Sequence, residues 1–439
     1  MAEATQRPFG HEMLKYFLLD EKQVNLNHGS FGCAAKPVRD ALRRFQDASE
    51  AAPDRYVRYE YPRLLDESRE AAASYLNVPI DELVIVPNVT TAINTILRNL
   101  KFEKGDVIIC LDISYRSNLN TIEYILEITE AESAKVEFTL PCSDAEILTA
   151  FRDTILAQKG RAKLVIFDVI TSLPGVRLPF EEMASIAREL GVMTLVDAAH
   201  GIGHLPLDIK ALDPDFFTSN CHKWLYTPRG SAVLYVPLRN QHLIRSSLPT
   251  SHAFEPRPRP GAERAPNPLP PSNKSNFVQQ FEFVGSVDNA SLLCIPAALE
   301  FRRTVCGGEA AIMSYCWELA RKGGLAAAEV LGTEVMDNED GTLTKQSSMV
   351  MVRLPILMRN TEEGVEGVAP EQAARVQAWI CETLVKQHNT FVAVVWYKRK
   401  LWARFSAQIY LDESDFVWGA KVLKGICQTI MAGGVIEVN

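Results

Sequence analysis

Short apolar runs alternate with amphipathic stretches over residues 81–237 of the chain. Five runs rich in β-branched residues have the length of a strand, at 81–87, 106–112, 162–170, 192–199 and 231–237. Between them, the stretches 90–100 and 179–191 repeat apolar residues with the period of an α-helix. This alternation predicts a mainly parallel sheet with helices on both faces. Polar residues that follow the carboxyl ends of these strands are therefore the candidates for function.

A second pattern begins near residue 291. A helical stretch is followed by β-rich runs at 347–356, 390–398 and 401–410, which predict a smaller C-terminal α/β domain over 291–439 with a short meander of strands. The preceding large domain, 36–290, includes a loop rich in proline and arginine at 255–276. Its composition excludes a regular helix or a central strand. A loop of this length in a compact protein is either disordered or functional.

Composition narrows the classes of partner. The chain has 439 residues, 47% hydrophobic and 23% charged, which is typical of a globular protein of two domains. A formal net charge of −8 gives no reason to expect nucleic acid or an anionic membrane surface as a partner. No apolar run is long enough to span a bilayer, and the first residues lack the pattern of a secretory signal.

The cysteines indicate a reducing compartment. There are nine of them, dispersed through the sequence without CxxC pairs or cysteine–histidine clusters. Such an odd, scattered set favours reduced thiols buried as small apolar side chains. We therefore expect a cytoplasmic protein without a metal site.

Asp197 closes the run VMTLVD (192–197), and His200 follows three positions later. Lys223 lies in the motif TSNCHKWLYTPRG (218–230), in the short span between two further strands. An acid at one strand end and a lysine after the next strand can face the same crevice. This pair suits imine chemistry with pyridoxal 5'-phosphate (PLP), because the amine bonds to the aldehyde and the carboxylate keeps the pyridine nitrogen protonated. Taken singly, such an aspartate is more often a turn residue, and such a lysine is more often a solvated charge.

The phosphate of such a cofactor needs hydrogen-bond donors. The segment PNVTTAIN (87–94) follows a predicted strand and opens a helix, with Thr90 or Thr91 expected at the cap. Free amides and the positive end of a helix dipole suit a phosphate there, although an ordinary threonine cap is the alternative. His222, beside Lys223, could add a charged hydrogen bond to the same phosphate.

Five motifs, in their order and spacing, resemble the class V aminotransferase family, a fold type I group of PLP-dependent enzymes. They are LNHGSFG (26–32), PNVTTAINTIL (87–97), TLVDAAHGIGHLPLD (194–208), TSNCHKWLYTPRGSAVLYV (218–236) and RFSAQIY (404–410). The sequence is most similar to the branch of isopenicillin N epimerase and hercynylcysteine sulfoxide lyase, which shares the NCHKW and HGSFG patterns and has fungal relatives in secondary metabolism. The resemblance implies a fold type I α/β architecture, in which a large domain is built on a mainly parallel, seven-stranded sheet.

The resemblance also implies how the cofactor is held. Lys223 would carry PLP as an imine, Asp197 would pair with the pyridine nitrogen, and His200 would lie near the O3′ atom. The other implied contacts are to the phosphate (Thr90, Thr91, His222), to the ring face (Tyr115) and to O3′ (Thr171, Ser172). Ser286 matches a segment that reaches the phosphate of the other subunit, which implies a homodimer with a shared active site.

Substrate contacts follow from the same resemblance. Arg404 matches the arginine that binds the α-carboxylate of an amino-acid-like substrate, a task suited to a planar bidentate donor. Ser30 lies in an N-terminal active-site segment, 1–35, that is expected to fold over the substrate.

Two positions depart from the family pattern. Cysteine desulfurases carry a nucleophilic cysteine on a mobile loop shortly before the carboxylate-binding arginine. Cys381, the nearest candidate here, lies in a stretch of helical periodicity, which disfavours persulfide chemistry. Val169 stands where the branch often has a histidine, so the reactions of the sister enzymes do not transfer directly.

The implied reaction passes through an imine of the substrate and a carbanion at Cα, with the freed Lys223 amine as general base. The first hypothesis is a lyase, an epimerase or a biosynthetic tailoring enzyme, by elimination, decarboxylation or carbon–carbon bond-forming cyclisation. An aminotransferase with a pyridoxamine half-reaction is the second hypothesis. A non-catalytic binding protein with the PLP fold is the third, and the identity of the substrate stays open.

Overall fold

The computed structural model describes residues 9–261, 267–359 and 367–433. Parts of the predicted segments 1–35, 255–276 and 291–439 therefore lie outside the described residues. The β-strands are β1 (Leu83–Val86), β2 (Val107–Leu111), β3 (Glu132–Val136), β4 (Ala162–Asp168), β5 (Met193–Asp197), β6 (Phe216–Asn220), β7 (Ala232–Tyr235), β8 (Met349–Arg353), β9 (Ala393–Tyr397) and β10 (Lys400–Ser406).

The α-helices surround two sheets. They are α1 (His28–Phe31), α2 (Lys36–Ala51), α3 (Pro53–Arg55), α4 (Tyr61–Leu76), α5 (Val89–Asn99), α6 (Arg116–Ile128), α7 (Asp144–Ala157), α8 (Phe180–Glu189), α9 (Ile209–Leu212), α10 (Cys221–Trp224), α11 (Asn276–Glu282), α12 (Ile295–Thr304), α13 (Glu309–Leu331), α14 (Ala373–His388) and α15 (Glu413–Met431). A π-helical stretch, Tyr56–Glu60, joins α3 to α4. Among the described helices, none combines the length and apolar character needed to cross a membrane.

The larger sheet has the strand order β1-β7-β6-β5-β4-β2-β3. Strand β7 pairs antiparallel with β1 and β6, whereas the other neighbours pair in parallel. Strands β2 and β6 are buried along their whole length, as strands covered by helices on both faces must be. Within the described residues, the prediction of an α/β protein with a mainly parallel, seven-stranded sheet is confirmed.

The apolar pattern did not predict strand β3, whose sequence is ESAKV. This strand lies at the edge of the sheet and pairs only with β2, from Val107↔Glu132 to Leu111↔Val136. Val136 is its single buried residue. An edge strand needs one covered face at most, so its sequence carries too few apolar positions to stand out.

The smaller sheet is antiparallel with the order β8-β10-β9. The predicted meander is therefore wrong in its order, because β10 lies between the other two strands. Arg404, on β10, is the register partner of Met351 on β8 and of Ala393 on β9. Arg404 consequently projects from the central strand of this sheet, and the strands paired on both sides fix the position of its backbone.

The N-terminal segment packs on this smaller sheet. Phe17, Leu26 and Val38 share a buried core with Phe405 of β10. The backbone amide of Ser406 also donates to the carbonyl of Leu26 at 2.8 Å. These contacts hold the HGSF helix α1 next to the carboxyl end of β10. The domain limits 36–290 and 291–439 stay predictions.

The described part of the proline-rich loop lies along the Tyr56–Glu60 stretch. Arg58 Nη1 donates to the carbonyl of Pro268 at 2.9 Å, and Lys274 Nζ lies 2.6 Å from a carboxylate oxygen of Asp66. Together the two segments line a cavity of about 260 Å³. The C-terminal end of the loop is therefore anchored to helix α4.

Helix α13 approaches its neighbours closely through two glycines. A Cβ atom at Gly323 would lie 2.5 Å from the ring of Phe416 on α15, and one at Gly324 would lie 2.6 Å from Val350. Such distances exclude any larger residue without movement of the helix. Gly425, in the exposed middle of α15, has nothing within 4 Å of an added Cβ.

These glycines give a matched test of the packing. Gly323→Ala is expected to lower the free energy of unfolding by about 1–3 kcal/mol, because overpacking outweighs the gain in helix propensity. Gly425→Ala should raise it by up to about 1 kcal/mol, because the gain in propensity meets no clash. Urea denaturation of both variants measures the difference. Equal stability of the two would contradict the close approach of α13 to α15.

Candidate active site

Asp197 and Asp168 stand side by side at the carboxyl ends of β5 and β4. They are register partners on neighbouring parallel strands, so their side chains leave the same face of the sheet. Both residues are buried. Two carboxyl groups in this position cannot both ionise at low cost, so their other contacts decide where the charge resides.

Those contacts differ. Asp197 accepts hydrogen bonds from Asn118 Nδ2 at 2.6 Å and from the amide of Ala199 at 2.9 Å. Oδ2 of Asp168 has no hydrogen-bond partner among the described residues. Burial raises the pKa of Asp197, but these two hydrogen bonds oppose the rise. Burial and then the Asp197 charge hold the pKa of Asp168 well above its ordinary value. Asp197 is therefore the ionised member of the pair and Asp168 is the neutral one.

Lys223 lies on the short helix α10, directly after β6. Its Nζ atom lies 3.1 Å from Nε2 of His200, the residue that follows Asp197 by three positions. Burial lowers the pKa of the Lys223 ammonium to about 8, against the attraction of Asp197. The free amine is therefore far more abundant at neutral pH than it is for an exposed lysine, which suits a nucleophile or a base.

The backbone of α10 is fixed by two polar side chains. Nε2 of His28 donates to the carbonyl of Lys223 at 2.6 Å, and Nη1 of Arg302 donates to the carbonyl of Trp224 at 2.8 Å. Glu309 neutralises the buried Arg302. The lysine thus projects from a turn whose orphan carbonyls are occupied.

The helix α5 begins beside α10. Asn88 is its N-cap: Oδ1 accepts from the amide of Thr91 at 2.8 Å and from its hydroxyl at 3.1 Å. The expectation of a threonine at the cap is therefore wrong, because asparagine is the better capping residue and precedes both threonines. The amide of Val89 donates to Oδ1 of Asn220, the residue just before α10. Thr90 and Thr91 are half-buried in this first turn.

His222 lies between these elements and the N-terminal segment. Its Nδ1 donates to the carbonyl of Ser231 at 3.1 Å, and burial lowers its pKa to about 4. A hydrogen bond from Nε2 to a phosphate would therefore require the imidazolium form, which the negative charge itself would favour. Gly32, with φ 66°, passes so close that a Cβ would lie 1.6 Å from the His222 carbonyl oxygen.

Arg404 is buried and has no carboxylate partner among the described residues. Nη1 donates to the carbonyl of Ser172 at 2.8 Å, and Nη2 donates to Asn27 Oδ1 at 2.9 Å and to Ser30 Oγ at 2.7 Å. Its Nε atom is buried without a hydrogen bond. Burial lowers the pKa of Arg404 to about 10, which leaves it cationic. Gly175 makes room for it, since a Cβ there would lie 2.8 Å from Arg404 Cδ.

The remaining predicted residues are placed unevenly. Thr171 is buried and its hydroxyl donates to the carbonyl of Pro174 at 2.6 Å, so it serves its own loop, whereas Ser172 contacts Arg404. Tyr115 is 49% exposed at the start of α6, three positions before Asn118. Ser286 is exposed in a bend.

Cys381 does not face this site. It is half-buried on helix α14 and packs against the core of the smaller sheet. Burial raises the pKa of its thiol, which makes it a poor nucleophile. The expectation of helical structure at this position is confirmed.

The chain is similar to known proteins in sequence and in structure. The family profile described as Aminotransferase class-V matches residues 34–256. The L-cysteine desulfhydrase-like protein lolT1 of Epichloe uncinata is 36% identical over 444 aligned residues, which cover 97% of this chain and 97% of that protein. The chain belongs to the class V aminotransferase family.

More distant relatives agree. The hercynylcysteine sulfoxide lyase of Schizosaccharomyces pombe is 27% identical, with 97% of this chain and 99% of that protein covered. The solved structure of an apo cysteine desulfurase from Thermococcus onnurineus NA1 superposes with a TM-score of 0.70 at 17% identity, and covers 97% of this chain and 99% of its own. At that identity the likeness shows the fold alone. The predictions of fold type I and of a PLP-dependent enzyme of the lyase and epimerase group are confirmed.

Sequence reasoning missed residues that support the functional groups. Asp168 ends the run VIFD just as Asp197 ends TLVD, so matched strand ends are a signal that could have found it. Capping preference could have found Asn88. Asn118, which holds Asp197, left no signal, because its contact depends on where α6 packs.

The asymmetry of the two carboxyl groups predicts a pH effect on stability. The pKa of Asp168 is raised on folding, so its contribution to stability is present at low pH and is lost as pH rises through the folded value. Asp168→Asn keeps a neutral side chain of the same shape and removes this loss. The free energy of unfolding of the cofactor-free variant, relative to wild type, should therefore rise by up to about 3 kcal/mol between pH 5 and pH 7.

Urea denaturation at the two pH values gives this difference. Asp197→Asn is the companion variant: it removes the charge that helps to raise the pKa of Asp168, so the loss of stability between pH 5 and pH 7 should be smaller than in wild type. A stability difference for Asp168→Asn that is the same at pH 5 and pH 7 would contradict a neutral Asp168.

Proposed function

We propose that the chain is a PLP-dependent carbon–sulfur lyase that acts on an amino acid with a free α-carboxylate and sulfur at Cβ. The observation that carries the proposal is Arg404, a buried guanidinium without an acidic partner among the described residues and with an unpaired Nε. A buried cation of this kind calls for an anion. The α-carboxylate of an amino acid supplies it in the planar geometry that a guanidinium binds best.

The residues at the strand ends fit PLP. When bound, PLP supplies an aldehyde that links to amines and a ring that accepts an electron pair from Cα. Lys223 provides the amine, and ionised Asp197 suits a protonated pyridine nitrogen. The other proposed contacts are the phosphate (Thr90, Thr91, His222), the ring face (Tyr115) and O3′ (His200, Ser172).

The chain's own groups can then carry out an elimination. The free amine of Lys223 takes the Cα proton, the Cβ–S bond breaks, and its electron pair leaves with sulfur. Hydrolysis of the released enamine completes a conversion of the amino acid and one water into pyruvate, ammonia and a thiol. Burial of Lys223 supports its role as base, because the lower pKa of about 8 frees the amine near neutral pH.

One observation favours sulfur as the leaving group, and a second favours its release from the enzyme. The similar proteins from Epichloe uncinata and Schizosaccharomyces pombe are named as an L-cysteine desulfhydrase-like protein and a sulfoxide lyase. Cys381, the candidate nearest to Arg404 in the sequence, also does not favour a persulfide route of the desulfurase type, because it lies on a helix and burial raises the pKa of its thiol. Release of a free thiol or sulfenate, rather than its capture by the enzyme, follows from that placement.

We also propose a homodimer in which Ser286 reaches the phosphate site of the partner subunit. The exposed bend supports this arrangement, because the neighbouring Val287 is 63% exposed and suits burial against a second chain. A cytoplasmic location is proposed as well, since all nine cysteines are unpaired.

The reaction is tested by its products. Holoenzyme incubated with cysteine, an S-alkylcysteine and its sulfoxide is expected to release pyruvate, ammonia and the sulfur product in equal amounts from at least one of them. A keto acid that keeps its sulfur, formed together with pyridoxamine phosphate, would instead show a transaminase. Exchange of the Cα proton with solvent without release of sulfur would show an epimerase, and either result contradicts the lyase.

Arg404→Met tests the carboxylate contact. With a carboxylate substrate, kcat/KM should fall by about 10²–10³-fold, because a charged bidentate pair is lost. With the decarboxylated amine of the same side chain, already a poor substrate, the variant should change kcat/KM little. Arg353→Met is the matched control, since Arg353 lies on the same small sheet but pairs with Glu334 at 3.0 Å. Equal losses with both substrates would contradict carboxylate binding by Arg404.

A further inference from the structure

The two ring nitrogens of His200 have different neighbours. Nδ1 lies 3.1 Å from the indole Nε1 of Trp224, and Nε2 lies 3.1 Å from Nζ of Lys223. An indole N–H can only donate a hydrogen bond. Nδ1 of His200 must therefore be the unprotonated nitrogen of the ring.

The ring is also neutral. His200 is buried, and burial followed by the charge of Lys223 holds its pKa well below the ordinary value. A neutral imidazole carries one proton, and the Trp224 contact excludes it from Nδ1. The proton consequently lies on Nε2 and points at the Lys223 amine.

The proton on Nε2 of His200 also determines the role of Lys223 in their hydrogen bond. When Nε2–H donates, Nζ of Lys223 must accept, which requires a lone pair on the amine. A Lys223 ammonium would instead place one donor against another. The hydrogen bonds from Trp224 to His200 and from His200 to Lys223 thus favour the uncharged form of the lysine. This is the form that can attack an aldehyde carbon.

Trp224 is held too firmly to turn away. Its side chain is buried and packs on the ring of His204 with centroids 4.2 Å apart. His204 is itself fixed, because its Nε2 accepts from the amide of Ser348 at 2.6 Å and its Nδ1 then donates to the carbonyl of His200 at 2.9 Å. A Cβ at Gly203 would lie 2.7 Å from the Trp224 carbonyl, so the tryptophan backbone is tightly enclosed as well.

We propose that Trp224 is a positioning residue that fixes the Nε2–H form of His200 and thereby favours the free-amine form of Lys223. This assignment goes beyond packing, the role its aromatic ring suggests, and its consequence for imine formation rests on the proposed function of Lys223. In that step the amine nitrogen bonds to the aldehyde carbon, and the carbonyl oxygen leaves as water.

Other charges face the same groups and must be held constant in a test. Lys223 is close enough to Asp197, Asp168 and Arg404 for each to affect its pKa. His200 is influenced by Lys223, Arg404, His204 and His222. A useful variant therefore alters the indole N–H and leaves each of these side chains in place.

Trp224→Phe removes the donor and keeps an aromatic ring. The first readout is the ¹⁵N spectrum of full-length protein labelled in its histidine rings, recorded with PLP bound and after its removal. Wild type is expected to show Nε2 protonated and Nδ1 unprotonated at His200, identified by His200→Gln, and the variant should show a mixture of the two forms. The second readout is the rate of imine formation with added PLP against pH, whose midpoint should move up by about one pH unit in Trp224→Phe.

Trp317→Phe is the matched control. Trp317 also donates its indole N–H beside this cluster, at 3.2 Å, but to the carbonyl of His204 and not to a ring nitrogen. It should leave both the His200 spectrum and the midpoint unchanged. Equal shifts in the two variants would overturn the assignment.

The wild-type spectrum decides the matter even if Trp224→Phe does not fold. A proton on Nδ1 of His200 would overturn the proposal, and one on Nε2 supports it. If Lys223 never binds the aldehyde, the proposed function is wrong, whereas the ring-nitrogen spectrum still decides the role of Trp224.

Discussion

Removing the Lys223 amine from water is the constraint on which the site depends. An ammonium loses several kcal/mol of hydration when it is buried, and a protein offsets that loss by pairing the charge or by releasing the proton. The atom nearest Nζ in the described contacts is a neutral imidazole nitrogen at 3.1 Å, not a carboxylate oxygen. Asp197 accepts its hydrogen bonds from Asn118 and Ala199. The site therefore makes the lysine proton easier to release and leaves the aspartate charge for another partner.

Burial imposes the same kind of cost on the charge of Arg404. Arg404 stays charged because its pKa remains at about 10, yet its hydrogen bonds go to neutral oxygen atoms. A buried cation without an acidic neighbour calls for an anion, and we propose that the α-carboxylate of the substrate supplies it. Both sheets contribute residues to the site. Strands β4, β5 and β6 position the two aspartates and the lysine, and β10 carries the arginine. The N-terminal segment joins them, because Ser30 and Asn27 contact Arg404 and His28 contacts the lysine backbone.

Much of this arrangement could be predicted from the sequence because it follows strand ends. Asp197, Lys223 and Arg404 lie in or after apolar runs, and a parallel sheet brings its carboxyl ends to one edge. What escaped prediction depends on contacts between distant segments. The polar edge strand β3 has one buried residue, and Asn118 reaches Asp197 only through the packing of α6. The order of the small sheet likewise depends on pairing, which local patterns do not encode. The donor role of Trp224 also depends on the ring orientation of His200, which the sequence does not encode.

We propose that Lys223 carries the cofactor, and covalent trapping of the imine provides the test. Holoenzyme is reduced with borohydride, which converts the imine into a stable secondary amine, and is then digested and mapped by mass spectrometry. We expect a pyridoxyl phosphate adduct on Lys223, with none on the partly buried Lys163, which is already paired with Asp106 at 2.5 Å. An adduct on another lysine, or full cofactor occupancy without any adduct on Lys223, would show that Lys223 does not carry the cofactor.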